Sequence, residues 1–421
     1  MKENFRAGWV GGLLLSAVLP IWHVAAYSQP QVDRCASNDR NIALDQRIEA
    51  CTAAIASGRW SGPGLAWAYN NRSLAYILQG DYDRAIADAD EAIRLDPNDA
   101  VAFNNRGVGY GGKEVYDRAI ADYNEAIRID PSYALSFKNR GSFYQHRGDL
   151  DRAIADYSKA VELQPTFAMA FADRASAYQE KGDFDRAVAD FGTLIRLSPR
   201  DAKAFYSRGV AYHLSGDLDR ALADYNEAIA LDPANFFAFN NRGVIYRAKG
   251  DLDRAIADYD AAIRLDPNEA TFYYNRGNAK VFAGSLPAAL ADFNRAKELK
   301  PRSAYVALWI DILARRSNLP SELAADTAQL DMDRWPAPLV RLYLGQATQS
   351  EVLSALAANA DGKIKTEQLC MAYFFGGELA LAQGATDEAA RLFRLAVAGC
   401  TTDPLPRSDA ISELKTLGAA P

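Results

Sequence analysis

Arginine and aspartate recur in this 421-residue sequence at a regular spacing, and both side chains can bind ions or pair with each other. An Arg is repeated seven times at intervals of 34 residues, and an Asp follows each of them sixteen residues later. A guanidinium can hold a phosphate or a carboxylate through two parallel hydrogen bonds. The arginines could therefore form an anion-binding column, but the equally regular aspartates favour internal pairing. We predict a structural ladder of ion pairs between Arg72, Arg106, Arg140, Arg174, Arg208, Arg242 and Arg276 and, in the same order, Asp88, Asp122, Asp156, Asp190, Asp224, Asp258 and Asp292.

Asparagine forms a third column, directly before the Arg in five of the seven repeats. Its amide offers both a donor and an acceptor, so it can pair with a peptide group. At 100° per residue these positions fall on the free face of a helix, opposite its apolar stripe. The alternative is that Asn simply tolerates a crowded face. We predict that a bound polypeptide contacts Asn71, Asn105, Asn139, Asn241 and Asn275, together with Asn104, Asn240, Lys138, Tyr206 and Tyr274.

Other sequence motifs lack the structural context that their functions require. The run from Gly107 to Gly112 spells G-x-G-x-x-G, but a nucleotide-binding loop must link a strand to a helix. This run lies inside a predicted helix, where it is expected to weaken that helix. Beyond the first 26 residues the histidines are His146 and His213, too far apart in sequence for a confident catalytic or metal-binding group. We therefore predict no enzyme activity, no metal and no cofactor.

Composition narrows the class of partner. The formal net charge is −7, with 49% hydrophobic and 24% charged residues. A chain of this composition is expected to fold around a buried hydrophobic core. Its net negative charge does not favour binding to nucleic acid. Proteins or peptides are therefore the expected partners.

A strict 34-residue period organises the elements that carry these side chains. Each of the seven units contains an aromatic at position 4, a small residue at 8, Ala at 20 and Pro at 32. Helical spacing and the Gly–Asp pair at positions 15 and 16 predict two helices per unit, the second ended by the proline. We also expect Arg84 and its equivalents at position 19 to share the aspartate one turn later. The prolines are Pro97, Pro131, Pro165, Pro199, Pro233, Pro267 and Pro301.

The pattern aromatic-x3-Gly-x2-Tyr … Ala-x3-Tyr-x2-Ala … Pro resembles the tetratricopeptide repeat (TPR) over residues 66–303. The resemblance implies an all-α fold, a right-handed superhelix or α-solenoid whose first helices line a concave groove that binds peptides. Some TPR arrays use an asparagine ladder along a bound backbone, and the resemblance implies the same for the Asn column. The Arg at position 7 departs from the usual apolar residue.

The ends of the chain differ from the array. Residues 1–26 show the charged start, apolar run and small-residue cleavage site of a signal peptide, with an uncleaved membrane anchor as the alternative. Residues 27–65 are predicted to contain a capping helix. Export favours disulfides over free thiols, and of three connectivities we favour the local pairs Cys35–Cys51 and Cys370–Cys400.

Residues 304–369 are predicted to be a diverged helical linker, and 370–421 a diverged TPR-like hairpin with a C-terminal cap. The segments RWPAPLVRLYLG and CMAYFFGGELALAQGATDEAARLFRLAVA resemble the C-terminal part of NlpI-like periplasmic TPR proteins. That resemblance implies an envelope adaptor for proteases or cell-wall hydrolases. The chain lacks the lipid-anchoring cysteine of those relatives, so we expect soluble periplasmic residence without membrane insertion after cleavage.

The sequence thus predicts an exported, non-catalytic TPR scaffold that binds partners on its concave face. The alternative is a homo-oligomeric module, for instance a homodimer, whose partners dock through the C-terminal helices or the convex face.

Overall fold

The computed structural model describes residues 34–37, 39, 41–357, 362–400 and 404–420, and all regular secondary structure among them is helical. The predicted signal peptide, residues 1–26, lies outside this range. The helices are α1 Leu44–Ala56, α2 Pro63–Gln79, α3 Tyr82–Leu95, α4 Ala100–Gly112, α5 Tyr116–Ile129, α6 Ala134–His146, α7 Leu150–Leu163, α8 Ala168–Lys181, α9 Phe184–Leu197, α10 Ala202–Leu214, α11 Leu218–Leu231, α12 Phe236–Ala248, α13 Leu252–Leu265, α14 Ala270–Phe282, α15 Leu286–Leu299, α16 Ala304–Arg316, α17 Leu323–Asp326, α18 Ala337–Tyr343, α19 Gln349–Ala357, α20 Gly362–Ala382, α21 Thr386–Gly399 and α22 Pro404–Thr416.

Each 34-residue unit folds as a hairpin of a first helix (A: α2, α4, α6, α8, α10, α12 and α14) and a second helix (B: α3, α5, α7, α9, α11, α13 and α15). A bulky ring from the B helix fills the space over a small residue of the A helix. Tyr123 is fully buried, and a Cβ added to Gly107 would lie only 2.8 Å from its Cε1 atom. The small residue at position 8 therefore sets the distance between the two helices.

The glycine run in α4 has a packing role that the sequence analysis missed. A Cβ added at Gly111 would overlap the ring of Phe143 from the next hairpin, at 2.2 Å from its Cζ atom. The helix runs unbroken from Ala100 to Gly112. The glycines thus allow close approach between neighbouring repeats.

The turn between A and B helices follows the predicted caps. Gly80 ends α2 with a left-handed φ of 78°, and the Asp81 carboxylate accepts a hydrogen bond from the backbone N of Arg84 at 3.1 Å. The expectation that Arg84 shares Asp88 is wrong. Its Nε donates instead to Asp81 at 2.6 Å, and its guanidinium lies 4.4 Å from the centre of the Tyr76 ring. Backward pairing with the cap keeps the Arg stacked on the aromatic ring.

The chain divides into two compact units between Arg200 and Asp201. Unit 1 contains α1 and the first four repeats. The helix α1 packs against α2, and a disulfide joins Cys35 to Cys51 with a Cα–Cα distance of 4.8 Å. This arrangement covers the apolar side of the first repeat.

Unit 2 contains repeats five to seven and the helices α16–α22. The Trp309 side chain of α16 is buried, stacked on Phe293 of repeat seven at 5.7 Å and against Phe374 of α20 at 6.0 Å. The helices α20 and α21 form a further hairpin, in which Gly377 faces Phe393 as position 8 faces position 24 in the repeats. A second disulfide, Cys370–Cys400, closes this hairpin with a Cα–Cα distance of 5.2 Å.

Within the described residues, no helix combines the length and apolar character that crossing a membrane requires.

Candidate protein-binding site

The side chains at positions 5, 6, 9 and 12 of the A helices form what we call the A-helix face of each unit. In unit 1, this face is held together by hydrogen bonds between successive A helices. The Nδ2 atom of Asn105 donates to the backbone O of Asn70 at 3.3 Å, and Nδ2 of Asn139 donates to Oδ1 of Asn104 at 3.0 Å. Position 6 of one repeat thus pairs with position 5 of the repeat before it, 35 residues earlier.

The same link recurs in unit 2. The Asn275 amide donates to Oδ1 of Asn240 at 2.8 Å, and that of Asn241 donates to the Tyr206 hydroxyl at 3.2 Å. Tyr274 is half-buried on the same face. The linking pattern is therefore a property of both units.

This placement differs from the expected open ladder of amides. Asn139 is fully buried, Asn105 and Asn275 nearly so, and only Asn71 and Asn241 of the column are half-buried. The reason is that adjacent A helices pack directly on one another, so positions 5 and 6 lie between helices. The signal available in the sequence was the polar residue 35 positions before four of the five Asn residues, Asn71 being the exception.

Lys138 makes the same link between position 5 of one repeat and position 6 of the next, but through an ion pair. It occupies position 5 of repeat three, is 3% exposed, and its Nζ lies 3.0 Å from Oδ2 of Asp173 at position 6 of repeat four. A buried ammonium is costly unless it is paired. This cation is therefore neutralised by the next repeat.

On the A-helix face of unit 1, three buried polar atoms have no hydrogen-bond partner among the described residues: Oδ1 of Asn70, Oδ1 of Asn139 and Oε1 of Gln179. The hydroxyl of Tyr123, from the B helix α5, has none either. The equivalent hydroxyl of Tyr157 bonds at 3.3 Å to Ser142 and at 2.8 Å to Gln145, at positions 9 and 12. In repeat two those positions are Val and Gly. Burial raises the pKa of Tyr123 well above its ordinary value, so its hydroxyl remains a donor.

The Arg and Asp columns pair throughout. Arg106 donates from Nε and Nη2 to the two carboxylate oxygens of Asp122 at 3.0 and 2.7 Å, and from Nη1 to Asp90 of the preceding repeat at 2.7 Å. Burial raises the pKa of Asp122 although Arg106 opposes the shift. The same two-pronged contact joins Arg72–Asp88, Arg140–Asp156, Arg174–Asp190, Arg208–Asp224, Arg242–Asp258 and Arg276–Asp292.

The A-helix face of unit 2 holds a contact that the sequence analysis missed. The helix α22 packs against α12 of repeat six, as well as against α20 and α21. Nη2 of Arg247, at position 12 of repeat six, lies 3.2 Å from Oδ2 of Asp409, and both side chains are buried. The two residues are separated by 162 positions, which no local pattern could connect.

A cluster of buried charges continues from this contact. Nη2 of Arg316 bonds to Glu378 at 2.6 Å and to Glu413 of α22 at 2.9 Å. Burial, opposed by Arg316 and reinforced by the carboxylates of Glu413 and Asp409, raises the pKa of Glu378 to about 8. Among the described residues, no group of three or more His, Cys, Asp or Glu side chains is arranged to hold a metal ion.

Comparison with known proteins assigns the family. Models described as TPR repeat or tetratricopeptide repeat match residues 66–99, 100–133, 134–167, 172–236, 224–257 and 243–281. The chain belongs to the tetratricopeptide repeat proteins, and its helix pairs form a protein-binding scaffold.

Solved structures similar to this chain are TPR proteins as well. YrrB, described as a TPR protein with an unusual peptide-binding site, is 25% identical, covers 44% of this chain and 95% of its own, and has a TM-score of 0.38. A TPR protein from Parabacteroides merdae is 20% identical over 59% and 98%, with a TM-score of 0.44. The C-terminal part of a TPR protein from Cytophaga hutchinsonii is 20% identical over 57% and 99%, with a TM-score of 0.48.

Proposed function

We propose that this protein is an exported, non-catalytic scaffold that captures an extended segment of a partner protein along the A-helix face of unit 1. The segment lies across α2, α4, α6 and α8 and pairs through its backbone. By the resemblance of its C-terminal part, the scaffold serves as an envelope adaptor for proteases or cell-wall hydrolases. The two disulfides support residence in an oxidising compartment.

The observation that carries this proposal is the set of unpartnered polar atoms on that face, together with the Tyr123 hydroxyl of the B helix α5. The acceptors belong to Asn70, Asn139 and Gln179 and the donor to Tyr123, one in each of four consecutive repeats. A buried polar atom without a partner costs about 1–3 kcal/mol, and a ligand that supplies the partner recovers it. These atoms are covered in the free chain, so capture requires the A helices to part and expose them. A peptide backbone carries a donor and an acceptor in every residue, so it can then supply both kinds of partner.

The paired charges are consistent with backbone recognition. Lys138 is neutralised by Asp173, and the Arg column is occupied by the Asp column. Neither offers a free cation for an acidic tail. A segment held through its peptide groups needs no such cation.

Tyr123→Phe tests the proposal because it removes a single hydroxyl. A peptide is selected from a random-sequence phage library on residues 27–421, and its affinity is measured by fluorescence anisotropy. We expect Tyr123→Phe to weaken binding about three- to tenfold, the value of one hydrogen bond. The matched control is Tyr259→Phe, which removes the equivalent hydroxyl in unit 2.

Equal affinities for the wild type and Tyr123→Phe would contradict capture by unit 1. A larger loss with Tyr259→Phe would move the site to unit 2. The homo-oligomeric alternative makes a different prediction. Without any peptide, the mass in solution would be at least twice that of one mature chain, which is the 46.0 kDa of the full chain less the cleaved signal peptide.

A further inference from the structure

The helix α22 buries two acidic side chains that are one helical turn apart. Asp409 and Glu413 are 6% and 5% exposed, and Ala410 and Leu414 beside them are fully buried. The spacing of i and i+4 places both carboxylates on the same face as the apolar residues. This face is therefore acidic and apolar together, while Arg407 and Lys415 lie exposed on the other side.

The two carboxylates meet two arginines from different parts of unit 2. Asp409 lies 3.2 Å from Arg247 on the A-helix face of repeat six, and Glu413 lies 2.9 Å from Arg316 at the end of α16. The receiving surface thus holds one buried cation, Arg247, and one partly buried cation, Arg316, set one helical turn apart along the docked helix. Burial raises the pKa of Tyr259, with Arg247 opposing the shift and Asp409 adding to it.

Arg247 does not belong to the residue pattern that the repeats share. Position 12 holds Gly111, Gln145, Gln179 and His213 in the four preceding repeats, so the hairpin needs no arginine there. A buried guanidinium is costly without a carboxylate. Its presence on the A-helix face indicates that this surface is built to receive an acidic helix.

We propose that the A-helix face of repeat six, with Arg316, is a docking site for an acidic amphipathic helix of a partner protein, and that α22 is its resident occupant. The partner helix carries carboxylates at i and i+4 with small and apolar residues at i+1 and i+5. It takes the place of α22 and pairs with Arg247 and Arg316. This site is separate from the capture face proposed in unit 1 and does not depend on it.

The test uses a fluorescent peptide with the sequence of residues 404–420 and the chain of residues 27–421. In the wild type, α22 competes with the peptide. Asp409→Lys in the chain places a cation against Arg247 and loosens α22, so this variant is expected to bind the peptide at least about tenfold more tightly than the wild type. Adding Arg247→Glu to this variant removes the binding.

Two controls test which residues of the chain and of the peptide are required for binding. Lys249→Glu, added in place of Arg247→Glu, makes the same charge change two residues away on a side chain that pairs with Asp219, and leaves peptide binding unchanged. A second peptide retains only residues 406, 409, 410, 413, 414 and 417 on a neutral helical background. It binds as well as the native sequence, whereas the native peptide carrying Asp409→Lys and Glu413→Lys does not bind.

The proposal is overturned if Asp409→Lys binds the peptide no better than the wild type, or if Arg247→Glu and Lys249→Glu act alike. Should Asp409→Lys fail to fold by circular dichroism, hydrogen exchange of the wild type decides. With excess peptide, amides of α22 exchange faster as the helix is displaced; unchanged exchange shows that α22 is a fixed structural element. None of these outcomes affects the Tyr123→Phe result in unit 1.

Discussion

Breaking one rung of the Arg–Asp ladder should cost much more than breaking a surface ion pair. In repeat three, Nε and Nη2 of Arg140 donate to the two oxygens of Asp156 at 2.8 and 2.7 Å, and Nη1 donates to Asn124 of the preceding repeat at 2.6 Å. The Asp156 side chain is 9% exposed and that of Arg140 19%. Because the aspartate is the more deeply buried partner, leaving Asp156 unpaired costs more free energy than leaving Arg140 unpaired.

The magnitude follows from that asymmetry. Removing one member of a fully buried pair costs about 3–5 kcal/mol, and the partly exposed edge of Arg140 lowers this to about 2–4 kcal/mol for Arg140→Ala. Asp156→Ala should cost about 1–3 kcal/mol, because the guanidinium keeps Asn124 and some water. The double variant should lose little more than Arg140→Ala alone, with a coupling energy of about 1–3 kcal/mol.

Urea unfolding followed by circular dichroism measures these free energies. Hydrogen exchange in α6 and α7 then assigns the loss to the third hairpin, since a repeat array can open locally. Arg128→Ala is the matched control, because Arg128 pairs with Glu125 at the surface and should contribute little. Additive losses in the double variant, or equal losses for Arg140→Ala and Arg128→Ala, would refute the ladder.

Three further substitutions test the helix packing, the buried carboxyl group and the second disulfide. Gly107→Ala should destabilise the chain by about 1–3 kcal/mol, because the new Cβ would overlap the Tyr123 ring, while Gly399→Ala, which meets no atom within 4 Å, should change stability by less than about 1 kcal/mol in a urea titration. The folded state holds a proton on Glu378 that the unfolded chain releases, so wild-type stability should fall as the pH rises from about 4.5 to about 8, and Glu378→Gln should flatten a series of melting curves over that window. Cys370→Ala opens a disulfide loop with a sequence separation of 30 and should lower the unfolding free energy of unit 2 by about 3–4 kcal/mol relative to the oxidised wild type; a melting curve that the substitution leaves unchanged would show that the bond carries no stability.

The hairpins could be predicted from the sequence because their causes are local. The glycine at 107 and the tyrosine at 123 are sixteen residues apart, and the period places a small residue and an aromatic ring at the same spacing in six of the seven repeats. The two-pronged contact between Arg140 and Asp156 lies within the same hairpin and obeys the same period. Matching columns of opposite charge therefore identified the partners before the structure did.

Contacts between repeats were harder to predict. The helical wheel placed Asn139 on the free face of its helix. It could not show that Asn104 of the neighbouring helix covers this face, with its Oδ1 atom 3.0 Å from Nδ2 of Asn139. The face of a single helix is fixed by its own period, whereas the distance between two hairpins depends on packing. An open ladder of amides was expected for that reason, and a largely buried set of links was found.

The docking of α22 could not be predicted from any pattern. Arg247 and Asp409 are 162 positions apart, and each occurs in a different kind of segment. Arg247 was visible only as an unusual cation at position 12. Such contacts are decided by how the C-terminal helices fold back within unit 2.

Hydrogen–deuterium exchange of residues 27–421, measured with and without the phage-selected peptide, locates the surface that captures the peptide. Capture along the A-helix face of unit 1 predicts slower exchange in α2, α4, α6 and α8 when the peptide is bound, and loss of that protection in Tyr123→Phe. Protection confined to the helices from α16 to α22, or absent from the chain altogether, would contradict it.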